Sequence, residues 1–503
     1  MEKTYWQTTG RLARHAAIAR NVKVDVAIIG AGLTGITAAC LFKKAGAKVA
    51  LLDRARCAAA DTARTTAHLT YVTDTRLNEL VKNFGRDGAR AFWEAGAAAI
   101  DQIYSLATSN RTASACDFKW TPGFLHAPLD GRDIKERKSL EADAQFALDF
   151  GFNAKFIPRI PWANRCGVRF ENQAKFHPLK YLAPLLAAIP GNGSHVFENT
   201  EAHEFEDDPL VVHAGKFKIR CQYLMIATHT PLLGKTGLFK GTLFQSKLAL
   251  YTSYVLGAQL PHGLLPEALF WDTSDPYYYL RVDAGRKNDY VIFGGEDSKT
   301  GQENDSSLKY AKLETKLKKM FPPAKIQNRW MGQVIETNDG LPFIGESAGK
   351  QFIATGFCGN GFTMGTLSAV MAVDRYLGRK NHWFDLFNVN RKKFHGGTWN
   401  YIKENLDFPY YLLRDRLARA AGDSLTDLKP GDGKILKLRG KKVAAYRDAK
   451  GKVTLRSPVC THLGCIVRWN NADQTWDCPC HGSRFLTDGK VFSGPAEAEL
   501  AIA

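Results

Sequence analysis

The stretch CTHLGCIVRWNNADQTWDCPCHGSRF, from Cys460 to Phe485, sets the tightest constraint on what this chain can become. It places four cysteines and two histidines in two short runs. Cys460 and His462 form a Cys-x-His pair, and Cys478 and His481 form a Cys-x-x-His pair. Two thiolates and two imidazoles at this spacing are a metal-ligand set. Sorted by type, they suit a 2Fe-2S centre with both cysteines on one iron and both histidines on the other. The same donors also suit a structural zinc ion.

CTHLGC with CPCHGS resembles the Rieske proteins of the respiratory and photosynthetic cytochrome b complexes. The resemblance implies a cluster held by Cys460, His462, Cys478 and His481. It also implies a disulfide between the inner cysteines, Cys465 and Cys480, and a hydrogen bond to the cluster from Ser483. Gly464, Gly482 and Ser483 stand in Rieske positions, which a zinc site leaves unexplained. Phe485 is a departure: those relatives place there a Tyr that donates toward the cluster. Hydrogen bonds to cluster sulfurs raise the potential, so a centre below the top of the roughly −150 to +300 mV Rieske range is expected. Gly494, Pro495 and Ala496 match the later loop of those relatives, with Glu497 in place of their usual Pro.

Near the other end, Lys23 to Gly30 (KVDVAIIG) is a short β-rich run that enters Gly30-Ala31-Gly32-Leu33-Thr34-Gly35 and then the helical pattern ITAACLFKKAG. Gly30 permits the tight turn, Gly32 lets a pyrophosphate approach, and Gly35 lets the helix pack closely on the strand. The phosphates then meet a helix N-terminus. Asp53 ends a second strand, KVALLD, where a carboxylate reaches an adenosine ribose hydroxyl.

Thr62 to Thr70 (TARTTAHLT) resembles the flavin-wrapping segment of FAD-dependent oxidoreductases of the D-amino-acid-oxidase class. Asp339 to Gly345 and FIATGFCGNGFTMGT, Phe352 to Thr366, resemble the C-terminal flavin motif of that class. The resemblance implies FAD contacts from Arg64, Thr65, Thr66, His68, Gly340, Gly359, Asn360, Gly361, Phe362 and Thr363. His68 lies one position from where some amine dehydrogenases link flavin covalently, and is expected to hydrogen-bond or pack instead. Read from the residues alone, a strand Phe352–Ala354 feeds a glycine turn that opens a helix from about Phe362 to Leu377. Its N-terminus favours an anionic ligand.

Between these blocks, alternation over Gly151–Phe170 and Lys247–Val255, with a hairpin of Tyr277–Val282 and Tyr290–Gly295, predicts an antiparallel substrate sheet. Arg220–Thr228 reads as a buried strand returning to the nucleotide sheet, with His229 near its ligand-facing end. Phe176–Leu179 resembles the family's connection back to that domain. Arg281 is expected either to bind an anionic substrate or to sit in a surface pair at a strand end. Trp271, Tyr254 and Tyr278 are expected in the pocket or the core. The catalytic candidates are Arg281, Tyr278 and His229. Relatives that oxidise glycine or D-amino acids use arginines in the segments equivalent to Gln333–Glu336 and Phe357–Asn360. This chain has none in either, which argues against a simple amino acid held that way.

At 503 residues the chain has room for two to four domains. The fold expected is an α/β FAD-binding Rossmann-like domain with an inserted antiparallel sheet, followed by an all-β Rieske domain. Boundaries fall at 1–395 (nucleotide-binding parts about 20–125, 171–240 and 330–380), 396–427 for a helical tether, and 428–503. No apolar run reaches a membrane span, since Leu243–Leu260 is broken by Lys247 and other polar residues. The N-terminus lacks a secretory core, and the remaining six cysteines are scattered, so a cytoplasmic location is expected. The net charge of +18 would attract an acidic partner, but a solvated basic surface that aids solubility is the preferred reading, and the basic residues, dense only over Lys434–Arg456, are too dispersed for a nucleic-acid surface.

The resemblance implies a dehydrogenase that takes two electrons from a small amine or amino-acid derivative onto FAD. The electrons then leave singly through the cluster to an acceptor such as an acidic carrier protein or a quinone. The alternatives are a reductase with the current reversed, and a non-catalytic redox sensor.

Overall fold

The computed structural model describes residues 2–109, 113–130, 134–232, 246–348, 350–391, 404–405 and 407–503. Leu243 and residues 396–403 of the expected tether lie outside them.

Val26–Ile29 and Val49–Leu52 are short, wholly buried apolar strands, the pattern of a parallel sheet covered on both faces. They sit in a six-stranded sheet. Its order is Phe343–Ala348, Gln351–Thr355, Tyr223–Ile226, Val26–Ile29, Val49–Leu52, His195–Phe197. All pairs are parallel except the Phe343–Ala348 edge. The expected strand Arg220–Thr228 is divided: Arg220 ends a strand of a separate small sheet, and only Tyr223–Ile226 joins the nucleotide sheet.

Helices Leu33–Lys44 and Gly361–Tyr376 pack together over this sheet. Gly35 is required there, because a Cβ on it would lie 1.9 Å from the carbonyl oxygen of Gly30.

A nine-stranded sheet forms the second layer. Its long strands are Leu248–Pro261, Asn288–Lys299 and Lys325–Thr337, and the predicted hairpin pairs Asp283 with Tyr290. The sheet is mixed rather than purely antiparallel, since Leu269–Asp272 runs parallel to Lys119–His126. It also draws His68–Leu69, Lys119–His126 and Lys325–Thr337 from outside the central insertion.

The chain's first helix, Tyr5–Thr9, is a clamp with no counterpart in the motif reading. Trp6, 1% exposed, donates its indole N–H to the Thr65 carbonyl at 2.6 Å, and the Thr4 hydroxyl donates to Ala63 at 2.8 Å. The segment of 61–68 is thereby held from outside the nucleotide motif.

From the tether, Asp407–Leu417 is helical. Beyond it lie a three-stranded sheet (Gly433–Leu438, Lys441–Arg447, Val453–Arg456) and a four-stranded one (Arg468–Asn470, Thr475–Asp477, Arg484–Phe485, Val491–Ser493). No helix among the described residues is long and apolar enough to cross a membrane.

Candidate functional site

Two equivalent turns carry the metal-ligand candidates. In the first, the Cys460 amide donates to Cys465 and the Gly464 amide donates back to Cys460, at 2.8 and 3.0 Å. In the second, Cys478 donates to Ser483 and Gly482 donates back to Cys478, at 2.8 and 3.0 Å. Cys465 and Cys480 form a disulfide that joins the two turns. The Cys460 and Cys478 thiols adjoin, each perturbing the other, with Cys460 lowered and Cys478 raised, and the His462 and His481 rings lie 4.9 Å apart at 89°. Burial pushes His462 down to about 4, and burial with His462 beside it pushes His481 to about 3, so both imidazoles are neutral and suited to binding metal at pH 7. The Ser483 hydroxyl accepts from the Ala496 amide at 3.1 Å and reaches the Cys460 sulfur. Cysteines paired on one side and histidines on the other fit a 2Fe-2S cluster. Phe485 is wholly buried.

The second site is a cavity of about 390 Å³ between the two large sheets. Gly30, Gly32, Asp53, Arg64, Thr65, Thr66, His68, Gly359, Asn360, Gly361 and Phe362 line it, which brings together glycine turns and helix N-termini far apart in the chain. This arrangement fits a long dinucleotide with an anionic middle. Asp53 accepts from the Ala31 and Ala55 amides, both at 2.8 Å, and burial raises its carboxyl. His68 bonds to Thr66 through Nδ1 at 3.0 Å, and burial, then Arg281, pushes it down to about 3.

Several expected contacts are supports instead. Gly35, Gly340 and Thr363 are off the wall: Gly340 is pressed on Thr75, and the Thr363 hydroxyl donates to the Thr70 carbonyl at 3.1 Å. Arg281 meets neither expectation. It is 2% exposed, pairs with Asp283 at 3.0 Å, donates to the Ala67 carbonyl at 2.9 Å and covers the Trp6 ring. It braces the 61–68 segment. Tyr278, just before the strand Tyr279–Asp283, turns away from the cavity, stacked on Phe293 and bonded to Glu296, while its neighbours Tyr277 and Tyr279 line the wall. Trp271 is on the wall and Tyr254 is core. His229 is on the wall, 3.8 Å from Asp61.

The motifs carried no sign that these sites adjoin. Leu486, Val491, Phe492, Ser493 and Gly494 of the C-terminal domain line the cavity. Arg64 pairs with Asp473 at 3.0 Å, and Asp473 also takes Arg484 at 2.9 Å. Gln333, on the wall, donates its side-chain amide to the Gly482 carbonyl at 2.8 Å and accepts from the Ser493 hydroxyl at 3.1 Å. Gly482 follows His481 directly. Gly301 is pressed on the same turn, where a Cβ would lie 2.6 Å from the Cys478 carbonyl carbon.

Residues 25–375 match the model of the FAD dependent oxidoreductase family. The chain belongs to that family. Residues 422–503 match the Rieske 2Fe-2S domain, so the protein is an oxidoreductase that binds FAD and a 2Fe-2S cluster. The Rieske 2Fe-2S iron-sulfur protein YhfW of Bacillus subtilis (strain 168) is 31% identical, over 98% of this chain and 96% of its own. The gamma-glutamylputrescine oxidoreductase of Escherichia coli (strain K12) is 23% identical, over 82% of this chain and 98% of its own. Among solved structures, glycine oxidase from Geobacillus kaustophilus superposes with a TM-score of 0.62 at 16% identity, over 74% of this chain and 100% of its own.

Proposed function

We propose that this oxidoreductase is a dehydrogenase that oxidises the C–H bond beside the nitrogen of a small amine or amino-acid derivative and delivers the electrons singly to an external acceptor. The observation that carries the proposal is Gln333, one side chain that walls the FAD cavity and hydrogen-bonds the cluster-binding turn at Gly482, at 2.8 Å. Bound FAD supplies a two-electron acceptor, and the cluster supplies one-electron exits. The chain's own residues do the rest. Gln333, Phe492 and Ser493 wall the cavity on the Rieske side, and Gln333 joins that wall to the cluster-binding turn. The Asp473 carboxylate, shared by Arg64 and Arg484, holds the wrapping segment 61–68 against the strand that follows His481. The substrate loses a hydride and a proton, leaving an imine for water to hydrolyse. The full-length relative with gamma-glutamylputrescine oxidoreductase in its name supports an amine as the class.

The test is anaerobic mixing of the holoenzyme with a panel of amines and amino-acid derivatives, following flavin bleaching and the cluster's paramagnetic signal together. Flavin reduction should be followed by the cluster signal, and added dye should be reduced faster than peroxide forms in air. A bleached flavin beside a cluster that stays oxidised defeats the proposal.

A further inference from the structure

The part of the cavity walled by the nine-stranded sheet is acidic. Asp74, Asp297 and Glu336 all face it, from the loop after His68–Leu69, from Asn288–Lys299 and from Lys325–Thr337. Tyr277 donates to Asp74 at 3.1 Å, yet Oδ1 of Asp297 is buried with no hydrogen-bond partner. Among the described residues none of the three has an ion-pair partner. Burial and then mutual repulsion push Glu336 up to about 8; burial and Asp297 push Asp74 up to about 7, against the Tyr277 hydrogen bond. Asp297 is pushed up to about 6, chiefly by burial. Lys309 offsets part of the charge at Asp297 from beside it, but three carboxyls crowded this closely with no ion pair among the described residues are costly in a fold, and a cation among them lowers the cost.

Among the described residues the wall has no equivalent provision for a carboxylate. Its arginines are Arg54, Arg56 and Arg64, and each is committed elsewhere: Arg54 to the Phe492 carbonyl at 2.9 Å, Arg56 to Glu198 at 3.6 Å, and Arg64 to Asp473. Trp271, Tyr277 and Tyr279 add aromatic faces, which favour methylene chains and cations alike.

We infer that the substrate carries two separated cationic nitrogens, as a diamine or polyamine does, one presented for oxidation and the other held by Asp74, Asp297 and Glu336. This rests on the amine-dehydrogenase reading and narrows its substrate class. Oxidation removes a hydride and a proton from the presented CH–NH unit, both electrons go to FAD, and the held ammonium is unchanged.

The experiment offers the holoenzyme, without oxygen, a series of linear diamines, the matched monoamines and the matched ω-amino acids, with flavin absorbance and the cluster signal recorded. A bis-quaternary diammonium of equal length, which cannot be oxidised to an imine, is titrated separately, reading melting temperature and the flavin spectrum. Diamines should exceed monoamines in kcat/KM by about 10-fold or more, with ω-amino acids poorest. The bis-quaternary cation should raise the melting temperature, and Asp74→Asn, Asp297→Asn and Glu336→Gln should each weaken its binding about 10-fold. A preference for monoamines or amino acids overturns the inference and leaves the flavin-to-cluster relay standing. Cation binding that is absent, or unchanged in all three variants, overturns it as well, even if nothing in the panel bleaches the flavin. A flavin that diamines bleach selectively, beside a cluster that stays oxidised, defeats the relay and upholds the charge preference.

Discussion

Asp473 holds the two cofactor domains together, and replacing it with Ala gives a demanding test. The residue is 3% exposed; it accepts from Arg64 at 3.0 Å and from Arg484 at 2.9 Å, guanidiniums whose side chains are 4% and 0% exposed. Without the carboxylate, Arg484 keeps Asp477 and the Thr475 hydroxyl, and Arg64 keeps the Met331 carbonyl, but both guanidiniums lose a buried charged partner. Removing one side of a buried ion pair costs about 3–5 kcal/mol. The loss should appear as undocking, because Arg64 and Asp473 belong to different domains. Denaturant titration read by flavin fluorescence and by cluster visible dichroism should give coincident transitions in the natural protein and separated ones in Asp473→Ala. Glu94→Ala, which breaks the exposed pair with Arg90 (54% and 40% exposed), should stay within about 0.5 kcal/mol. A cost at Asp473 no larger than at Glu94 would mean that the buried carboxylate does not hold the two domains together. Burial alone would raise the Asp473 carboxyl, but Arg64 and Arg484 outweigh it and hold it below the usual value. Its contribution is therefore complete above the ordinary carboxylate value of about 4 and fades as pH falls through the lowered one.

Gln333→Leu should leave the Gly482 carbonyl and Ser493 hydroxyl without their partner, costing about 1–3 kcal/mol; stopped-flow measurement should show slower cluster reduction after flavin reduction. Stability without a bound cation should fall as pH rises from about 4 toward 8, since folded Asp74, Asp297 and Glu336 hold protons that the unfolded chain releases; the combined Asn, Asn and Gln variant should flatten that slope in thermal melts. Cys465→Ser opens a disulfide spanning a sequence separation of 15, so the Rieske domain should lose about 3 kcal/mol by denaturant titration. Trp6→Ala should cost about 3–5 kcal/mol and raise the rate of FAD loss on dilution, because the Thr65 carbonyl loses its indole partner.

Much of each cofactor site was legible because its chemistry is local. A turn of six residues carries Cys460, His462 and Cys465, and another carries Cys478, Cys480, His481 and Ser483. Strand, glycine turn and helix around Gly30 are contiguous too. Where the reading failed, the deciding fact was non-local or turned on a single position. Tyr278 and Tyr279 differ by one position at the start of the strand Tyr279–Asp283, and only Tyr279 reaches the cavity. Arg281 follows the same tyrosines but is captured by Trp6 and the Ala67 carbonyl, from the far end of the chain. Glu336 was visible in a segment noted only for its missing arginines, and its role depends on Asp74 and Asp297 arriving from elsewhere.

The amino-acid order alone determined which atoms can hold iron and where a dinucleotide enters, since those contacts lie within a turn or two of backbone. Tertiary structure decided that the two sites share a wall at Gln333, and that the substrate end of the cavity is negative. Partners such as Arg64 and Asp473 are 409 residues apart, and only packing of whole sheets, driven by burial of their apolar faces, sets which side chains meet at such separations.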